Sequence, residues 1–395
     1  MSTPWLSVIG IGEDGLAGLS AATRAVVERA EALVGGIRHL AMVPLGPASR
    51  HVWPSPFALA QPLLESLRGH RVVVLASGEP LWFGAAATLS RWFDPAEMMV
   101  APHPGAFSLA AARLVWPLQD CLCLSAHGRK AEALTLHFAP GRRLLILSED
   151  ANTPKRVAAL LHEHGFGASR ITVLENLGGA AERVVAGIDA VSDLNVVAVD
   201  CSPSPGWRQL SLVPGLPDDA FDHDGQLTKR EVRAVTLAML APQPGELLWD
   251  VGAGCGSVAI EWMRAGGQAV AIEPKAERCD RIARNALILG APDLEIVAAR
   301  APAGLPLDAR APDAIFVGGG VSEPGVLDIC RAALKPGGRL VANAVTIEGE
   351  AALISFHAVQ GGEMSRLSVA RLAPVGGFNT WHPAMPVTQY VGWKR

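Results

Sequence analysis

Asp250, Gly252, Gly254, Gly256 and Glu273 are the residues whose types and spacing most directly suggest chemistry. They stand in "LLWDVGAGCGSVAIE" and at the end of "AVAIE". An apolar run enters a glycine-rich turn, and the turn runs into a helix-like stretch. Glycines there let the backbone approach a ligand closely, because they carry no Cβ. The spacing is G-x-G-x-G, whereas a dinucleotide fingerprint is G-x-G-x-x-G, with its third glycine one place later. S-adenosylmethionine has no pyrophosphate to set against a helix N-terminus; it has an amino-acid tail and a positive sulfur. The carboxylate of Asp250 near the strand tip suits the ammonium group of that tail. Glu273 ends the next strand and can accept both ribose hydroxyls, as acidic residues do in other adenosine-binding sheets. Ala301 follows the third strand and can border the adenine. Ala253 and Cys255 complete the turn. Upstream, Thr228 either touches the cofactor or caps a helix.

Substrate contacts are sought around the same turn. Lys229, Arg230 and Arg233 precede the cofactor strand and are either partners for substrate carboxylates or a solvated helix face. "VGGG" at 317–320 should lie at the carboxyl edge of the sheet, where ligands bind; Gly319 and Gly320 leave room there for a flat molecule. Asn343, Thr346 and Glu348 follow the next strand and either reach substrate or cap the loop. Methyl transfer from a sulfonium asks chiefly for proximity, alignment and a dry site, so no nucleophilic Ser or Cys is required. His162 and His164 lie two apart and would not share a helix face, so no metal site is expected.

The elements that must position these residues alternate. Strands are expected at 246–251, 269–273, 294–297 and 313–317, with helices at 256–264, 276–289 and 325–334, a doubly wound order with its glycine turn after the first strand. "TKREVRAVTLAMLAP" precedes them as an amphipathic helix. A second glycine turn, "SVIGIGEDG" at 7–15, opens the chain after the strand "WLSVI". "LSAATRAVVERAEALVG" has helical period and stops at Gly35-Gly36. "HRVVVLASGEP", "RRLLILSED" and "NVVAVD" are apolar runs suited to strands covered on both faces, and Pro154 opens a helix over 154–164. A division falls near 113–120. The stretch 203–225, rich in Pro, Gly and Asp, is the expected interdomain connection.

A chain of 395 residues exceeds one ordinary core, so two or three domains are expected. A formal charge of −4 argues against a general nucleic-acid or membrane-surface binder. Of 34 Lys and Arg, 28 are Arg, either forks for a polycarboxylate or a compositional bias. Six Cys without a CxxC pair read as buried thiols in a reducing cytoplasm, with Cys121 and Cys123 on one strand face. The opening "MSTPWLSVIGIG" lacks the regions of a signal peptide, and no run is long enough to span a bilayer.

"LTKREVRAVTLAML", "LLWDVGAGCGSVAIE", "AVAIEPKAERCDRIARNALILG", "PDAIFVGGG" and "LKPGGRLVANAVTIE" together resemble the 15-methylating, decarboxylating domain of cobalamin biosynthesis, over residues 222–348. "SVIGIGEDGLAGLSAATR", "LASGEPLWFG", "PHPGAFSLAAARLVWP" and "LSAHGR" resemble the tetrapyrrole methylases, a different S-adenosylmethionine fold. The combination is similar to the fused C5,15-methyltransferase family. The resemblance implies an α/β protein: a tetrapyrrole-methylase fold of two α/β subdomains (about 1–115 and 116–213), then a Rossmann-like class I methyltransferase fold over 214–395. It implies one S-adenosyl-L-methionine per domain. The N-terminal site falls on Ser77, Gly78, Glu79, Gly84, Pro104 and Ser108, with His127 as a further substrate candidate and the opening loop shaping the cleft. The family's Gly-Asp-Pro is here Gly78-Glu79-Pro80, its carboxylate longer by one methylene. The implied reaction is methylation of precorrin-6Y at C5 and C15 with loss of CO2 from the C12 acetate, giving precorrin-8X, by a cytoplasmic homo-oligomer, dimer or tetramer. The competing readings are a class I methyltransferase acting on RNA or protein, a non-catalytic scaffold, and a dinucleotide oxidoreductase. The acidic balance, the intact acid–glycine set and the glycine spacing stand against them in turn.

Overall fold

The structure is a computed structural model that describes residues 4–208 and 210–395. Met1–Thr3 of the opening stretch and Gln209 of the expected connection lie outside the described residues. The chain divides into two compact units, one running up to Ala131 and then over Phe138–Trp207, the other formed by Glu132–His137 and Arg208–Arg395.

The first unit begins with β1 (Leu6–Ile11), α1 (Ala21–Glu28), β2 (Ala32–Gly35), α2 (Ile37–Ala41), β3 (Ser49–Val52), α3 (Ala60–Ser66), β4 (Val72–Ser77), α4 (Ala85–Leu89), β5 (Met98–Ala101) and α5 (Ala106–Leu114). Its strands form a parallel sheet in the order β3-β2-β4-β1-β5. The periodic stretch from Leu19 is therefore not one helix. Ser20 caps α1 by accepting from the Thr23 amide, the helix ends at Glu28, and "ALVG" pairs with both neighbours and is buried throughout. Two flanking strands satisfy that backbone better than a helix could, a tertiary effect that periodicity cannot register.

There follow β6 (Cys121–Ser125), β7 (Arg143–Leu147), α6 (Thr153–Glu163), β8 (Arg170–Glu175), β9 (Arg183–Ala186) and β10 (Asn195–Asp200), in the order β6-β7-β10-β8-β9. β6 and β7 are parallel, but β10 runs antiparallel to β7 and β8. The apolar runs of β7 and β10 announce burial, not strand direction. Cys121 and Cys123 lie on the edge strand β6, only half-buried, where an expectation of buried thiols was too simple.

The second unit contains α7 (Arg230–Leu240), β11 (Leu247–Val251), α8 (Ser257–Arg264), β12 (Gln268–Ile272), α9 (Ala276–Ile288), β13 (Glu295–Val297), β14 (Ala314–Val317), α10 (Val326–Ala333), β15 (Arg339–Ala344), α11 (Ile347–Gln360), β16 (Glu363–Leu367), β17 (Ala370–Val375), β18 (Phe378–Pro383) and β19 (Val387–Trp393). The sheet order is β13-β12-β11-β14-β15-β19-β16. The five strands from β13 to β15 are parallel, and β19 and β16 add an antiparallel edge. Two apolar layers cover the sheet, one around Trp262 and Ile282, the other around Trp249 and Phe356. The chain leaves β11 toward β12 on one side and returns to β14 on the other. Ligands bind at such a switch point, outside the carboxyl ends of the strands. Beyond this sheet, β17 and β18 form a separate exposed hairpin closed by Gly376-Gly377.

Candidate active site

At the switch point the turn after β11 meets the turn after β14. Gly252 has φ +72°, and a Cβ on it would lie 2.6 Å from both the nitrogen and the Cα of Gly319. Gly254 has φ +63°, and its Cβ would lie 2.9 Å from the Gln226 carbonyl oxygen. Two backbones touch here, and only glycine permits it.

Asp250 projects from β11 and is 1 % exposed. Its Oδ2 accepts from the Ala259 amide at 3.0 Å, satisfying a first-turn donor of α8, whose N-cap, Gly256, has no side chain to offer. Its Oδ1 has no partner. Burial, with a smaller contribution from the Glu273 charge, pushes the carboxyl up to about 7 against the Ala259 bond. Glu273, 2 % exposed, accepts from the Gly254 amide at 3.0 Å and the Lys275 amide at 3.2 Å, and Arg278 stands 3.8 Å away. A carboxylate offers about four acceptor sites, so capacity remains for further hydroxyls.

These groups line one cavity of about 810 Å³, within the range of small-molecule sites. An S-adenosylmethionine fits these residues: the orphaned Asp250 oxygen asks for a donor such as an ammonium, the glycine contact leaves open backbone beside it, and Ala301 and Ala253 also line the wall. Thr228, Lys229, Gly319, Gly320 and Asn343 line the same cavity. The Asn343 amide is fixed, donating to Thr236 Oγ1 at 2.9 Å and accepting from Gln389 at 2.9 Å.

Other sequence candidates are not on this wall. Cys255 is 1 % exposed in the apolar core, and Gly256 serves as the left-handed N-cap of α8. Arg230 donates to the Gly215 carbonyl at 2.9 Å. Arg233 is wholly buried: its Nε meets Glu261 at 2.6 Å, its Nη1 meets Asp218 at 3.2 Å, and its other donors reach the Thr228 and Leu216 carbonyls. The helical period of α7 puts Lys229 and Arg233 one turn apart, but Arg233 faces inward, so it braces the fold and cannot meet substrate. Thr346 caps α11 by accepting from the Gly349 amide at 3.2 Å, and Glu348 sits exposed in that helix's first turn, where its charge suits the dipole. The sequence reading missed Arg371, His382 and Met385, which line the cavity from the hairpin segment. Short alternating runs after residue 360 were their only signal.

In the first unit the carboxyl ends of β1 and β4 lie side by side, Ile11 paired with Ser77. Gly78 has φ +49°, and its Cβ would lie 2.6 Å from the Gly105 Cα and 3.2 Å from the Pro104 oxygen. Ser77, Gly78, Glu79, Pro104 and the start of α5 are thus brought together; Gly84 caps α4 nearby, and Ser108 is exposed on α5. Glu79 accepts from the Leu81 amide at 3.2 Å, curling into its own loop. Ser77 Oγ contacts His39 Nε2 at 2.8 Å and Arg38 at 3.1 Å. Burial, then the Arg38 charge, lowers His39 to about 4, so it is neutral at pH 7. His127 is exposed, 3.4 Å from Glu149. The adjacent Gly128 and Arg129 line a smaller cavity of about 300 Å³.

Asp250 gives a pH prediction. Its carboxyl is raised from 3.8 to about 7, so the unliganded unit is favoured by the protonated form. That stability is fully present below pH 4 and is lost as pH rises through 7. A cationic ligand binds the ionised form. The Kd of S-adenosylmethionine is therefore expected to fall roughly tenfold per unit as pH rises toward 7 and then to level off. Calorimetric titrations of Asp250→Asn should show weaker binding without that slope; a wild-type Kd independent of pH would contradict it.

A Rossmann-like sheet with an acid–glycine–acid site at its switch point, on one chain with a second α/β unit built around glycine contacts, defines a two-part methyltransferase. Residues 6–188 match the family of tetrapyrrole (corrin/porphyrin) methylases, and residues 219–394 match a precorrin methyltransferase domain. The chain is 49 % identical over 98 % of its length, and 96 % of the relative's, to the precorrin-6Y C(5,15)-methyltransferase (decarboxylating) of a Sinorhizobium species. It is 41 % identical to the protein of that name from Mycobacterium tuberculosis, over 98 % of this chain and 99 % of that one. A solved C-terminal domain of precorrin-6Y C5,15-methyltransferase from Rhodobacter capsulatus shares 46 % identity, covers 47 % of this chain and all of its own, and has a TM-score of 0.45. The chain belongs to the decarboxylating precorrin-6Y C(5,15)-methyltransferase family.

Proposed function

We propose that each unit holds one S-adenosyl-L-methionine, the first serving methylation at C5 and the second methylation at C15 together with loss of CO2 from the C12 acetate of precorrin-6Y. The observation that carries this reading is the buried, partnerless Oδ1 of Asp250, on a residue that lines one cavity with Glu273, in a chain similar over nearly its whole length to enzymes named for both methylations. That similarity favours the tetrapyrrole reading over an RNA or protein substrate.

The cofactor supplies an electrophilic methyl group. The protein supplies alignment and exclusion of water. Asp250 accepts from the ammonium group, Glu273 from the ribose, and the Gly252–Gly319 contact lets the cofactor lie on bare backbone. Gly319 and Gly320 leave space for the flat macrocycle, and Asn343, fixed by Thr236 and Gln389, borders it without rotating. As the C–C bond breaks and CO2 leaves, its electron pair passes into the conjugated ring, and a proton taken up at the former acetate carbon completes the methyl group left there. Free thiols at all six cysteines suit work in the cytoplasm, and the family resemblance supports a homo-oligomer, dimer or tetramer, which sedimentation would size.

Incubating the full chain with precorrin-6Y and S-adenosylmethionine should give a product with two more methyl groups and one carboxyl fewer by mass spectrometry. Gly78→Val forces a Cβ against Gly105 and is expected to yield product methylated at C15 and decarboxylated but lacking the C5 methyl. Loss of both methylations equally would refute the division of labour.

A further inference from the structure

Part of the wall of the second unit's cavity is formed by the hairpin segment. Arg371 on β17 and His382 on β18 are directly opposed in register, and both line the cavity. Lys229 lines it from the start of α7.

The cations on this wall are not equivalent. Arg300 pairs with Glu323, and Arg278 with Asp224 at 2.9 Å. Arg371 is tied to Glu231 and, at 3.4 Å, to Asp218, in both cases through Nη2; its Nε and Nη1 have no partner among the described residues. Lys229 and His382 likewise have no side-chain partner among the described residues. Lys229 is also the N-cap of α7, with no capping bond. A cation there opposes the helix dipole, and Ser, Thr, Asp or Asn would cap better. A residue that breaks a local rule without internal compensation, while lining a cavity, answers to something outside the fold.

We propose that Lys229, Arg371 and His382 form a carboxylate dock that reads the acidic side chains of the tetrapyrrole and sets which edge of the ring faces the methyl donor. The inference rests on the reading above, and it assigns the hairpin to substrate selection. Glu231 and Asp218 hold Arg371 through Nη2 and leave its Nε and Nη1 each free to donate a single charge-assisted hydrogen bond to a carboxylate. Lys229 supplies a point charge from the start of α7. Asp250 and Glu273, which line the same cavity, repel a carboxylate, so a polyacidic ring is oriented by charge as well as by shape.

The test measures C15 methylation and CO2 release by the full chain on precorrin-6Y, beside binding of S-adenosylhomocysteine. Lys229→Gln and Arg371→Gln are each expected to raise KM for the tetrapyrrole about tenfold or more, one lost charge-assisted hydrogen bond, with kcat changed less and the homocysteine Kd within about twofold. Arg371→Lys should recover only part, because an ammonium has one nitrogen and cannot hold Glu231 through one nitrogen while reaching a substrate carboxylate through another. His382→Gln, on the exposed hairpin, should also raise KM. Wild-type KM in all of these variants would overturn the dock while leaving the functional reading intact. Failure of the wild-type chain to decarboxylate precorrin-6Y would overturn that reading, and the dock with it.

Discussion

Arg233→Ala is expected to destabilise the second unit by about 3–5 kcal/mol, the cost of breaking a buried ion pair and leaving its partner charged. The guanidinium is fully buried between Glu261 and Asp218 and lies 4.9 Å from the Phe221 ring. Glu261 would keep its bonds from the Gly215 and Leu216 amides but lose its counter-charge at 3 % exposure. For a unit of this size the melting temperature should fall by roughly 10 °C. The two readings of Arg233 separate here. A substrate-binding arginine would change KM and spare the melting curve; the bracing arginine seen in the fold changes the melting curve first. Scanning calorimetry on the full chain decides, and a transition moved by less than about 2 °C would refute the bracing role.

Gly252→Val should remove cofactor binding from the second unit altogether. A side chain at φ +72° costs about 1–2 kcal/mol in strain, and its Cβ would stand 2.6 Å from the Gly319 backbone, which cannot move aside as a flexible side chain can. The two turns must part, and the first of them joins Asp250, at the end of β11, to Gly254, whose amide donates to Glu273. Titration with S-adenosylhomocysteine is expected to fall from two molecules bound per chain to one. Gly337→Val is the matched control: its φ is +77°, with no atom within 4 Å of the added Cβ. It should pay the backbone strain and leave the stoichiometry at two. Two sites retained in Gly252→Val would mean that the close approach does not shape the pocket.

Much of this site was legible in the sequence because it depends on neighbours in the chain. The G-x-G-x-G turn, the acid two residues before it and the acid ending the next strand are local patterns, and strand–helix–strand order brings their ends to one edge. The structure places Asp250, Gly252, Gly254, Glu273 and Ala301 around one cavity. What failed was inference about which way a residue faces. Lys229 and Arg233 read alike in sequence, yet one is exposed on the cavity wall and the other wholly buried. Thr346 and Glu348 read either as substrate contacts or as caps, and a helix start claimed them.

The sequence alone determined the α/β class, the two glycine turns and the carboxylate pair, since each is set by periodicity or by spacing within a few residues. Only the tertiary structure decided that "ALVG" is a strand, that Arg233 is a brace and that a hairpin more than a hundred residues after Asp250 closes the same cavity. Those outcomes depend on which backbone groups and charges find partners across the fold, and a partner's distance in space is not written in its distance along the chain.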